Sequence, residues 1–195
     1  MAELKAQLLQ GNHQGAKQQL KGLQEEIVFD VEHGFAVPIH KAVVPDIKDE
    51  MVQPCNLADH FFLSNSGEKI KKKRLTHDLS FWITKLNASI NKRTDSSLYP
   101  ELIYGFCLSQ IIHYVCALRS AYPNEQILIS KFDFSDAYRQ VAHSLKAAAQ
   151  TILVIEEIAY ICLRLSYGGA PNPSTFCSFL EMVTNLSNKI PLISG

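Results

Sequence analysis

The sequence predicts an α+β fold, a small antiparallel sheet with helices packed on one side. Three observations carry this. Helix-like and strand-like segments follow in the order helix, hairpin, helix, strand, hairpin, helix. That order has none of the regular βαβ alternation of a parallel sheet. Of 195 residues, 47% are hydrophobic and 19% charged, enough to build a real core in one domain or one and a half.

The first helix is read over 14–33, where Leu20, Leu23, Ile27 and Val31 recur at 3–4 spacing before Gly34 stops it. Residues 35–57 carry Pro38, Pro45 and Pro54 and are expected to be an extended connection, not a packed element. Two extended segments then flank Asn65-Ser66-Gly67, a good hairpin turn. The second of them holds Lys69, Lys71, Lys72, Lys73 and Arg74, a basic finger that either guards an edge strand or faces phosphate. Residues 85–99 are polar and turn-rich. Glu101–Tyr122 reads as an amphipathic helix with Leu102, Ile103, Phe106, Cys107, Ile111, Tyr114, Val115 and Leu118 on its apolar face. A strand is expected over 127–134, a short helical or irregular link over 142–150, and a hairpin tipped by Glu156-Glu157. The closing helix has Phe176, Phe179, Leu180, Val183 and Leu186 on one side. The division expected is 1–56, an N-terminal helix and connection; 57–99, the basic hairpin and linker; 100–190, a partial sheet domain; and 191–195, a tail.

Lys+Arg and Asp+Glu number 19 each, so any anionic partner must be met by local clustering rather than net charge. The five cysteines, at 55, 107, 116, 162 and 177, include no C-x₂-C zinc pair. With a polar, amphipathic N-terminus, they read as idle thiols of a reducing, intracellular compartment, nucleus or cytoplasm. His113 and Cys116, three apart on one helix, lack partner ligands and read as core-lining. No uninterrupted apolar run is long enough for a membrane span.

The chemistry gathers in "KFDFSDAYRQV". On a strand over 127–134, Asp133 shares a face with Ile127, Ile129 and Lys131. A carboxylate at a strand end can offer oxygen to Mg²⁺. Alternatively, Asp133 is merely solvated and Asp136 caps the following turn.

The string D-x-x-D-A-Y after an apolar strand resembles motif A of reverse transcriptases. "LSYGGAPNPSTF", with Gly168, Pro173 and Phe176, resembles their motif B. "KKKRLTHDLSF", with Arg74 four before Asp78, resembles their fingers hairpin. The three stand in the family's order over about 60–190, closest to the segments of mobile genetic elements such as retrotransposons. The resemblance implies the fingers–palm portion of an RNA-directed DNA polymerase, a nucleotidyltransferase acting on a primer–template and deoxynucleoside triphosphates. It implies Asp133 as catalytic ligand of Mg²⁺, whose paired ions would activate the primer hydroxyl. Arg74 would hold the triphosphate. Tyr138 would pack on the sugar, Gly168 would allow close backbone approach, and Tyr167 would stack near the nucleotide. Lys71, Lys72 and Lys73 would face nucleic acid. Asp78, Asp136, Pro173 and Phe176 would give support.

The family's motif C, an aromatic-x-Asp-Asp hairpin, has no counterpart. No two aspartates of this sequence are adjacent, and none follows Asp136. The chain reads as truncated before motif C and the thumb, and is expected to be catalytically incomplete. The alternative is a non-catalytic nucleic-acid- or partner-binding module keeping the fingers–palm fold. Either way, the sheet is expected to present an open edge for a missing C-terminal palm or a partner chain.

Overall fold

The computed structural model describes residues 2–64, 66–82, 88–99, 101–102, 106–129 and 134–187. Its elements are mixed α and β, with two small antiparallel sheets.

Three helices open the chain: α1 (Ala2–Gln10), α2 (Gln14–Gln18) and α3 (Leu20–Glu32). The helix expected over 14–33 is therefore broken at Gln19, whose φ of −121° leaves the helical region. Leu23 and Ile27 are fully buried, as their spacing predicts. Gly34 ends α3 with φ of +68°, where a Cβ would be strained.

The expectation of an unpacked connection after Gly34 is corrected. β1 (Ala36–His40) pairs antiparallel with β5 (Ile158–Cys162), and β5 pairs with β4 (Ile152–Ile155). β1 is an edge strand in the order β1-β5-β4, which is where a sheet tolerates Pro38. Glu156-Glu157 make the tight turn between β4 and β5, with Glu156 at φ +56°.

This three-stranded sheet is covered on both faces, not one. Leu153, Ile155 and Cys162 meet Leu23 and Ile27 of α3. Ile152 and Ala159, at the alternating positions, meet Leu4 of α1 and Val44. The period of two along β4 sends successive side chains to different cores.

The second sheet is a hairpin of β2 (Cys55–Leu63) and β3 (Lys69–His77). Its turn closes through Gly67 N–H on the Ser64 carbonyl, with Gly67 at φ +81°. Leu57 and Leu75 are buried at its base, and the tip is exposed. α4 (Ile90–Arg93) follows, capped by the Ser89 hydroxyl.

α5 (Cys107–Ala121) is shorter than the expected 101–122, with Glu101 and Leu102 outside any helix, and its apolar side is not buried. Phe106 is 78% exposed and Tyr114 68%, and Cys116 is exposed rather than core-lining. The strand expected over 127–134 is also corrected. Residues 127–129 carry no strand, and Leu128 and Ile129 are exposed. Positions 130–133 lie outside the described residues. A 3₁₀ turn follows at Ala137–Gln140. Next come α6 (Leu145–Ala149), capped by Ser144, and the closing helix α7 (Asn172–Ser187). Among the described residues no helix is long and apolar enough to cross a membrane.

Candidate nucleotide-facing cleft

The run 163–167 after β5 draws the site together through its backbone. Leu163 N–H bonds Phe35 O, Leu165 N–H bonds Val141 O, and Tyr167 O accepts from His77 N–H. These ladder-like bonds bring the 3₁₀ turn and the end of β3 to one place. Tyr167 sits where they meet.

A cleft of about 620 Å³ opens there. β3 supplies Lys72, Lys73 and Arg74 to it, α3 supplies Glu26 and Asp30, and the 3₁₀ turn supplies Asp136 and Tyr138. The guanidinium of Arg74 lies 4.4 Å from the centre of the Tyr167 ring. Tyr167 is 5.2 Å from Tyr138, which meets Phe176 edge-on at 5.6 Å. A row of cation and aromatic rings thus runs from the hairpin to α7, with geometry suited to cation–π and edge-to-face contact. Among the described residues Arg74 has no carboxylate within ion-pair distance, so its charge is available to the cleft.

The other candidate residues fall in different places. Asp133 lies outside the described residues. Lys71 and Lys73 both pair with Asp59 on β2, at 2.7 and 2.6 Å, and Lys73 also donates to Gln19 Oε1. Asp59 is held below its usual range by those two lysines. The basic finger is therefore partly self-neutralised, and Lys72 is the one of the three with no ion pair among the described residues. Asp78 binds His13 at 2.9 Å and accepts from Ser80 N–H, so it ties the hairpin base to α2. Asp136 occupies the cap position of the 3₁₀ turn at φ +49°, but its side chain makes no capping bond there and instead accepts from Ser135 Oγ. That corrects the capping role expected of it. Pro173 sits in the first turn of α7, where its missing N–H costs nothing.

Gly168, at φ +119°, closes on the chain itself. A Cβ there would overlap the His77 carbonyl oxygen. Asn91 of α4 fixes the same turn, donating 2.8 Å to Gly168 O while accepting 2.8 Å from Ala170 N–H. No local sequence signal marks Asn91. Asp59 was legible: a turn centred on Ser66 puts it opposite Lys73.

Beneath the cleft is a buried polar cluster. Arg139 donates to Asp30 at 2.6 Å, with side chains 9% and 6% exposed. Burial raises the Asp30 carboxyl above its usual range, and Arg139 opposes this. Burial raises Glu26 as well, and Lys72 opposes it. His77 is driven from 6.5 to about 3 by burial first, then by Arg139 and His143. Burial pushes the Cys162 thiol up to about 12. His77 Nδ1, His143 Nε2 and Arg139 Nη1 have no hydrogen-bond partner among the described residues.

His77 gives the fold an acid sensitivity. Its folded pKa lies below the unfolded value, so neutral His77 is favoured by folding and the unfolded chain takes up the proton first. Its full contribution is present above pH 6.5 and is lost as pH falls from 6.5 towards 3. Stability should drop by roughly 2 kcal/mol between pH 7 and pH 5 from this residue. Urea denaturation at the two pH values measures it, and His77→Gln should flatten the dependence.

Among the described residues no group of three or more His, Cys, Asp or Glu is placed to hold a metal ion. The two aspartates among the described residues lining the cleft are engaged, Asp30 with Arg139 and Asp136 with Ser135. The described residues supply no two-Mg²⁺ donor set, and Asp133, the ligand the resemblance implies, lies outside them. Comparison with protein-family models, curated proteins and solved structures finds no match for the chain.

Proposed function

We propose that this chain is a reverse-transcriptase-like fingers–palm segment that binds nucleotide and nucleic acid in the Arg74–Tyr167–Tyr138 cleft. It binds without completing the polymerase reaction. One observation carries the reading. Arg74, Tyr138 and Tyr167, singled out from three separate stretches of sequence, line a single cleft. A guanidinium stacked on a ring, with no ion pair among the described residues, is suited to phosphate oxygens, and the neighbouring rings are suited to a sugar and base. Synthesis would need further carboxylates to hold Mg²⁺, which the described residues do not supply.

Calorimetric titration with deoxythymidine triphosphate tests the reading. The protein should bind it, and Arg74→Ala should weaken binding about 10- to 100-fold, as loss of a charge-assisted contact does. Equal affinity for both would end the proposal. With a primer–template duplex, Lys72→Ala should reduce the slope of log affinity on log salt by about 1. Lys71→Ala and Lys73→Ala should change it less, because the two already share the Asp59 carboxylate.

A second reading is favoured by α5 and the residue that precedes it, since Phe106, Ile111 and Tyr114 are all exposed. It is a non-catalytic module that docks a partner there or against the rest of a palm. Nucleotide binding sensitive to Arg74→Ala separates the two.

A further inference from the structure

The turn that carries Tyr138 is short and locally weak. It is one 3₁₀ turn, entered through Asp136 in the left-handed region and closed by Arg139 N–H on Asp136 O. Gln140 adds one exposed side-chain bond back to Ser135 O. The turn sets the Tyr138 ring between Tyr167 and Phe176.

The adjacent residue supplies an anchor. Arg139 reaches across 109 positions of sequence to Asp30, in the last turn of α3. The same Asp30 accepts Phe35 N–H at its carbonyl, 2.7 Å, which fixes the exit of α3 into β1. Arg139 is thus tied to a helix that is itself buried against both sheets. Among the described residues Arg139 Nη1 has no hydrogen-bond partner, so the contact with Asp30 is the one that fixes the guanidinium there. Buried ion pairs of this kind can often be replaced by apolar side chains of similar volume without loss of stability.

We propose that Asp30 and Arg139 are positioning residues, a buried latch between α3 and the 3₁₀ turn that holds the Tyr138 ring in the cleft. Its consequence for ligand binding rests on the nucleotide reading above. The consequence for Tyr138 itself does not.

The test uses the full chain with 3-fluorotyrosine placed at position 138 and read by fluorine NMR. Two variants are compared with the parent, Asp30→Leu/Arg139→Met and Arg139→Lys. Circular dichroism checks that each is folded. The expected result is a shifted or exchange-broadened Tyr138 resonance in a folded variant. Its affinity for deoxythymidine triphosphate should fall about tenfold, the scale of one misplaced aromatic contact. A parent-like resonance in a folded variant overturns the latch, and whichever variant folds decides it. If neither folds, the pair is a determinant of the fold and the positioning role falls. If the parent binds no nucleotide, the functional reading fails while the resonance still decides the latch.

Discussion

Gly168→Ala is expected to destabilise the protein by about 3 kcal/mol or more, the sum of a disallowed backbone angle and a forced separation of packed backbone. The residue sits at φ +119°, beyond the left-handed region that non-glycine residues can visit. An added Cβ would occupy the place of the His77 carbonyl oxygen. No flexible side chain can move aside, because the obstacle is the end of β3. Relief would require breaking the bond from His77 N–H to Tyr167 O and the bond from Asn91 to Gly168 O. Gly67→Ala provides the control. It also has positive φ, +81°, but no atom lies within 4 Å of its added Cβ. That change should cost about 1–2 kcal/mol, from backbone strain alone. Thermal melts of the two variants decide the matter, and equal losses would rule out the packing account. Moving Tyr167 away from β3 would also unstack Arg74, so the more costly variant should bind nucleotide less well even where it is folded.

Position 168 marks the boundary between what was legible in the sequence and what was not. A glycine before a proline-rich turn announced a special backbone, but the atom it approaches is 91 positions earlier in the chain. Local order was readable where one period or one turn decides it. The 3–4 spacing of Leu23 and Ile27, the Ser66-Gly67 turn and the tight Glu156-Glu157 hairpin all formed as patterned. β1 was hidden because Pro38 reads as a breaker, and only the strand's place at the sheet edge makes it harmless. The alternation over 127–129 suggested a strand, yet alternation supplies no partner, and a strand exists only when paired. Arg74, Tyr138 and Tyr167 could be named as candidates from three motifs. Their common cleft depends on the bonds of 163–167 to Phe35, Val141 and His77, which no local pattern encodes. The Asp30–Arg139 pair left no trace at all, because each residue alone looks like a solvated charge on a helix or turn.

That pair makes the last prediction a comparison rather than a single loss. Asp30→Ala leaves the Arg139 guanidinium buried without its ion-pair partner, close to His77 and His143, which its field already disfavours as cations. The expected cost is about 3–5 kcal/mol. The intact pair is not therefore worth that much. Burial raises the Asp30 carboxyl in spite of Arg139 beside it, so desolvation offsets much of the attraction. Removing both charges together, as in Asp30→Leu/Arg139→Met, should leave stability near that of the parent. Chemical denaturation should thus rank the double variant well above Asp30→Ala, although it alters one residue more. The opposite ranking would mean that the ion pair itself holds the fold. A near-neutral double variant, with Asp30→Ala far less stable, is what a buried charge pair kept for the placement of Tyr138 requires.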